Sequence, residues 1–357
     1  MQAVWLAPWF SEVRPHLQKT TDEMLADLKI DQYMKADRPL HKTKTQGMGH
    51  PYSDSDETIA RRYEMTRASL ILAGGMILCG AGIFAGGVGA QERRPTARQV
   101  VEEIKKHVGV AWRAETVDTF KAGDPDTAVT GIAVTMMATM DVLQRAAARG
   151  DNLVITHEPT FYDHTDMPQG MSESDAVRKE KSDFIAKHGL VVWRFHDHWH
   201  ERKPDGIMLG MVKALGWEKY QSAKDDYIFT LPEMSLGKLA AEVAKKLDSP
   251  VVRVVGDAEM KVTKIAFSPG AGGAEGEIQA LEREDVEVLM VGETREWETV
   301  EYAADAVSEG RRKALIVIGH VPSEQAGMEE CARWLKTFVA DVKVEFMATK
   351  QPFWVVR

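Results

Sequence analysis

A length of 357 residues allows two or three domains, and an apolar fraction of 44% is that of a globular protein. The formal charge of −9 falls wholly in residues 91–357, with 35 Lys/Arg against 44 Asp/Glu, so nucleic acid finds no electrostatic footprint here. Two cysteines, Cys79 and Cys331, supply neither a disulfide framework nor a thiolate zinc site.

Residues 1–64 mix Trp5, Pro8, Trp9 and Pro15 with scattered charges and show no sustained period. They read as a poorly ordered extension or as sequence upstream of the true start. Ala68 to Ala90 carries no charge and holds seven glycines, which suits a cleaved signal better than an anchor. Met65-Thr66-Arg67 supplies a basic start and Val88-x-Ala90 fits a cut after Ala90, so residues 65–90 read as an export signal. The expectation is then a periplasmic or extracellular protein, or a cytoplasmic one if the signal is unused. Membrane contact would come only through an uncleaved signal; a retained or buried Gly-rich helix is the alternative.

Residues 91–357 read as one metal-binding α/β domain. Val100, Val101, Ile104 and Val108 share a helical face. After the turn Gly123-Asp124-Pro125-Asp126, the pattern predicts a strand over Val129–Val134, a helix over Met140–Arg149 stopped by Gly150, and a strand over Leu153–Ile155. That is a β-α-β unit of a mostly parallel sheet. A polar helix over Ser172–His188, a strand over Leu190–Trp193 and a helix over Met208–Leu215 follow. Tyr227–Leu231 reads as a strand and Ser235 as the cap of a helix to Leu247. Val251–Val255 and Val262–Phe267 read as a hairpin-like pair. A glycine loop at Gly270–Gly273 leads to a helix over Gly276–Glu284, a strand over Val286–Val291 and a helix over Thr299–Ser308. A strand over Ala314–Ile318 and a last helix around Met328–Phe338 complete the chain. The second half repeats the order of the first, which predicts two similar α/β lobes, about 91–225 and 226–357, with mixed sheets flanked by helices and a site in the cleft between them.

Three strands end on imidazole or carboxylate: at His157-Glu158-Pro159, at His196-Asp197-His198-Trp199-His200, and at His320 with Glu324 four residues on. Parallel sheets place reactive groups at strand C-termini in this way. His with Asp/Glu suits a zinc-, manganese- or iron-like divalent ion. Four ionisable residues in five positions after an apolar strand are costly unless solvated or coordinating. At least one of the four is expected as a ligand, and the residues do not single out which. In an extended loop His196, His198 and His200 would share a face with Asp197 opposite. His320 and Glu324 face together only if their helix begins early enough. Glu293, at a strand end, is a candidate general base or hydrogen-bond acceptor, whereas Glu296 and Glu298 around Trp297 read as a solvated turn. Gly270–Gly273 lacks the spacing of a nucleotide fingerprint and reads as a tight turn. With no Gly-x-Ser-x-Gly elbow and with Cys331 inside an amphipathic helix, Ser or Cys nucleophilic catalysis is disfavoured.

These motifs resemble those of the GTP cyclohydrolase I type 2 family, also called NGG-one-interacting-factor-three-like proteins. His157-Glu158-Pro159 is similar to the family's His-His-Pro, His196 to His200 to its His-Thr-Asn-Leu-Asp, and Gly319-His320-x-x-x-Glu324 to its Gly-His-x-x-x-Glu. The resemblance spans about residues 96–350. It implies two α/β lobes, a dinuclear site and often a toroidal homohexamer. It places His157, Glu158, His200, His320 and Glu324 as ligands of two divalent ions (zinc, manganese or iron). Glu158 stands where the family has a second His, His200 where it has an Asp, and Trp297 where many members have a His. The family's large inserted domain has no counterpart here, since only short elements fill Trp217–Val262. The expectation is a metal-dependent hydrolase of a small-molecule substrate. In it the ions lower the pKa of water, and Glu324 and Glu293 are the catalytic proton carriers. A non-catalytic metal-binding or interaction scaffold is the alternative.

Overall fold

A computed structural model describes residues 94–356 except 168, 169 and 173. The predicted extension over 1–64 and the predicted signal over 65–90 lie outside the described residues. Among the described residues, no helix is long and apolar enough to cross a membrane.

Thr96 opens the fold by capping α1 (Ala97–His107), with Gln99 returning the bond to complete a capping box. The first sheet has the order β1 (Phe120–Ala122), β4 (Val191–Arg194), β3 (Leu153–Thr156), β2 (Ile132–Thr135), β10 (Val344–Phe346). Its β4, β3, β2 and β10 run parallel and β1 is the antiparallel edge. The second sheet has the order β5 (Ile228–Ser235), β7 (Lys261–Ser268), β8 (Val288–Val291), β9 (Ala314–Val317), β6 (Arg253–Val255). There β7, β8 and β9 are parallel and both edges antiparallel. Each sheet is therefore mixed, and the two-lobed α/β architecture is present.

Two expectations are corrected. Residues 251–255 and 262–267 do not form a hairpin: β6 pairs with β9 and β7 with β5 and β8, so they lie at opposite sides of the sheet. The lobes are also not contiguous in sequence, because β10 returns from the chain's end to pair with β2. A boundary near residue 225 leaves that strand in the wrong lobe.

Strand alternation sorts the core into layers. Ile132, Val134, Leu153, Ile155 and Trp193 of the first sheet share one apolar core with Ile265, Phe267, Val288, Met290 and Ile316 of the second. Between them lie α5 (Gly206–Leu215) and α9 (His320–Leu335), through Met208, Met211, Met328 and Leu335. The opposite face of the first sheet packs Ala133, Val154 and Val192 on Val142 and Leu143 of α2 (Met140–Arg149) and Ile185 of α3 (Ala176–Lys187). The opposite face of the second packs Leu289 and Leu315 on Leu281 of α7 (Ala274–Glu282) and Ala303 of α8 (Glu301–Ser308). The helices α5 and α9 meet at bare backbone: a Cβ on Gly327 would sit 2.4 Å from the Ile207 Cα. That close approach fixes α9, and with it His320, against the helix that follows the His196–His200 segment.

Candidate metal centre

The parallel ladders bring the three motifs together. Thr156 and Arg194 are register partners on β3 and β4, so His157-Glu158 and Phe195-His196 leave adjacent strands at the same level. From the second sheet, β7, β8 and β9 end toward Gly270, Glu293 and His320.

The segment after β4 is helical rather than extended: α4 covers Asp197–Glu201. Its cause is Asp118, whose buried carboxylate accepts from the backbone N–H groups of His196, Asp197 and His198. A helical rise puts His196 and His200 on one face and turns His198 away. The shared face expected for His196, His198 and His200 is corrected accordingly. His198 is fully buried, bonded to Asp118 at 2.7 Å and stacked on Trp112. Asp197 accepts from Thr116 and the Val117 N–H and pairs with Arg113 at 3.2 Å.

The last helix begins at His320, not near Met328, with Gly319 as its N-cap. His320 and Glu324 are thus one turn apart, and their Nε2 and Oε2 lie 3.1 Å from each other.

Each of four imidazoles turns Nδ1 outward to an oxygen and Nε2 inward. His157 Nδ1 lies 3.1 Å from the Phe195 carbonyl, His196 Nδ1 2.9 Å from Asp197, and His200 Nδ1 3.0 Å from Asp205. His320 Nδ1 lies 3.4 Å from Glu293. The inward nitrogens surround two carboxylates. Glu324 stands 3.7 Å from His157 Nε2 and 3.9 Å from His200 Nε2; Glu158 stands 3.4 Å from His320 Nε2 and 3.8 Å from His196 Nε2. Ligand atoms of His157, His196 and His200 lie within 4.8 Å of one another, as do those of His157, Glu158 and Glu324. Either group is fit to hold a metal ion.

Two observations test that fit. Among the described residues, His157 Nε2 is buried without a hydrogen-bond partner, an arrangement that protein structures avoid unless another group satisfies it. Gly270, at φ +68°, leaves room for Glu324: a Cβ there would sit 2.3 Å from its Oε1. The glycine loop expected as a tight turn therefore also makes space for a carboxylate at the centre.

Electrostatics follow the same pattern. Burial, reinforced by His196 and His200, holds the His157 pKa well below the usual imidazole value, so the ring is neutral. Burial also opposes charge on His200, but Asp205, then Glu324 and Glu158, outweigh it and raise its pKa to about 9. For His320 the carboxylates of Glu324, Glu158 and Glu293 likewise overcome burial and raise the pKa. Glu158 is pushed well below the carboxylate range: burial opposes this, and the bond to His320 with the charge of His196 prevails. The hydrogen bond to His320 lowers Glu293, which is half-exposed at the rim.

Five residues assigned from sequence as ligands (His157, Glu158, His200, His320 and Glu324) thus come together, with Glu293 beside His320. His196 joins them, a position the sequence left open among four. The His-x-x-x-His spacing of His196 and His200 was its available signal. Asp205 was missed: it caps α5 through Oδ1 while Oδ2 bonds His200 and accepts from the Tyr227 hydroxyl. Trp297 sits exposed on a π-helical turn (Glu296–Val300), and Glu296 and Glu298 pair with Arg253 and Arg295.

The profile of the family described as Duf34/NIF3 (NGG1p interacting factor 3) matches residues 96–352. A Chlamydia muridarum protein named GTP cyclohydrolase 1 type 2 homolog is 21% identical over 238 residues, covering 65% of this chain and 89% of that one. Among solved structures, a Bacillus cereus protein related to NIF3 aligns with a TM-score of 0.60 at 15% identity, over 74% of this chain and 100% of that one. Staphylococcus aureus protein SA1388 aligns with a TM-score of 0.57 at 18% identity, over 73% and 99%. At such identities the structural likeness speaks for the fold.

Proposed function

The chain belongs to the Duf34/NIF3 family, and from that membership and its convergent imidazoles we propose that it is a metal-dependent hydrolase with a dinuclear centre. His157, Glu158, His196, His200, His320 and Glu324 would hold two divalent ions of the zinc, manganese or iron kind. The observation that carries this reading is the inward set of four Nε2 atoms, each ring oriented by an oxygen on Nδ1. Ligating histidines are oriented in this manner, which fixes the tautomer and raises ligand basicity.

Bound ions of this type polarise a substrate oxygen and lower the pKa of water. The chain's own groups do the rest. Glu293 stays ionised beside His320 and is exposed enough to take a proton from an entering water and release it to solvent. Glu324, buried between His157, His200 and His320, holds the imidazoles in place and is the second proton acceptor. Substrates open to attack by water at a phosphoester, amide or cyclic amidine fit this chemistry.

The test is turnover on a hydrolase panel with and without added metal, beside His320→Ala. Metal-dependent turnover lost in a variant that melts normally supports the reading. No turnover on any class, with metal bound, overturns it in favour of a non-catalytic metal-binding protein.

A further inference from the structure

Behind the candidate centre lies a buried row of alternating charges that no step above uses. The Lys121 ammonium lies 3.2 Å from Asp166 Oδ2, which lies 4.0 Å from Arg194 Nη1. Arg194 Nη2 in turn lies 3.5 Å from Glu158 Oε2. The Arg194 side chain is fully buried, at 0% exposure. A guanidinium so placed is tolerable only with its charge paired and its donors used. Its donors are indeed used: Nε donates to the His157 carbonyl at 2.9 Å, Nη1 to the His164 carbonyl, and Nη2 faces Glu158.

This placement follows from the strand. Arg194 is the last residue of β4 and alternates with Trp193, so it shares the face of Val192, beneath the loop that leaves β3. Asp166 ties that loop together by accepting from the Thr160 and Phe161 N–H groups. One rigid planar fork therefore touches both the backbone of His157 and the side chain of Glu158. A lysine, with a single point charge on a flexible stem, cannot reproduce that.

The consequence falls on Glu158. Its Oε2 is taken by Arg194, while Oε1 faces His320 and His196 at 3.4 and 3.8 Å. We propose that Arg194 is a positioning residue of the centre: it holds Glu158 so that one oxygen only is offered inward, and it makes a carboxylate, not an imidazole, the required group at position 158. The inference rests on the metal-centre reading above. An imidazole at 158 is as good a ligand in isolation. Beside Arg194 it would leave a buried guanidinium without its counter-charge and press that charge against the ion.

The experiment is a zinc titration of the chelator-stripped full chain against a chromophoric competitor. It compares wild type, Glu158→His, Glu158→His/Arg194→Gln and Arg194→Lys, with a thermal melt of each metal-free form. Glu158→His should bind zinc at least about tenfold more weakly than wild type, the size typical of losses around metal ligands. The double variant should regain most of that loss, and Arg194→Lys, folded but melting below wild type because the His157 and His164 carbonyls lose donors, should weaken binding. Glu158→His binding as tightly as wild type, or a folded double variant with no recovery, overturns the inference. If the double variant does not fold, Arg194→Lys decides: wild-type affinity there overturns it and weakened affinity supports it. A wild-type chain that takes up no zinc overturns the metal reading itself, and this inference with it.

Discussion

Two faces of the helix α4 and its N-cap residue His196 carry the same kinds of side chain to different ends. His196 and His200 point Nε2 toward Glu158 and Glu324. Asp197 and His198 turn away from the centre: Thr116 and Arg113 hold one Asp197 oxygen while the other bonds His196, and Asp118, the Arg113 N–H and the Trp112 ring hold His198. Residue type does not separate the two pairs; the helical period does. The site-facing pair is partly exposed and faces carboxylates beyond hydrogen-bond distance, whereas the other pair is buried and fully bonded. Ligand-type residues turned away from the centre hold the backbone, and those whose Nε2 atoms converge on Glu158 and Glu324 are the candidates for an ion.

The largest effect should come from breaking the structural face. Asp118→Ala strips the acceptor from three backbone N–H groups and from His198. A cost of about 3–5 kcal/mol is expected, as for removal of one partner from a buried charged network. Urea unfolding of the metal-free chain reads it. An unchanged midpoint would mean that α4 is not held by Asp118.

The site face is predicted to respond in metal affinity instead. Asp205→Asn keeps the cap on α5 through its side-chain oxygen but removes the charge behind His200. Zinc binding should weaken about 10–100-fold with little change in melting temperature. A variant that binds normally would show that Asp205 serves the cap alone.

A third effect is in pH dependence, and its sign differs between the faces. In the metal-free chain the folded pKa of His200, about 9, lies above its ordinary value of 6.5. Its stabilisation is then full below 6.5 and lost as the pH rises toward 9. Zinc uptake must release that proton, so apparent affinity should climb over the same window. Asp197 behaves oppositely. Burial alone would raise it, yet the bonds from His196 and Thr116 depress it, so its stabilisation is present above the ordinary 3.8 and lost as the pH falls through the folded value. Calorimetric melts from acid to pH 9, with and without zinc, read both slopes. Metal-free stability that stays flat between pH 6.5 and 9 would contradict the His200 assignment.

How much of this was legible in the sequence depended on element length. Strands buried on both faces, such as Leu153–Thr156 and Ala314–Val317, stand out as apolar runs, and the candidate ligands at their ends stand out with them. Phe120–Ala122 and Val344–Phe346, at three residues each, are too short to show a period, so β1 and the return of β10 were missed. The pairing of β6 with β9 is a long-range choice that adjacency in sequence misrepresents. At α4 the decisive residue, Asp118, lies 78 to 80 positions upstream, and no local pattern announces it. Glu158 and Arg194 lie 36 positions apart, so their pairing, too, becomes visible only once β3 and β4 are in register.

The most direct measurement is metal content by mass spectrometry on the full chain purified without chelator or affinity tag, beside His200→Ala and His198→Ala. Divalent metal in the wild type, lost in His200→Ala and kept in a folded His198→Ala, is the expected result. A wild-type chain that is metal-free and takes up no zinc, manganese or iron would contradict the account, as would equal metal loss in the two folded variants.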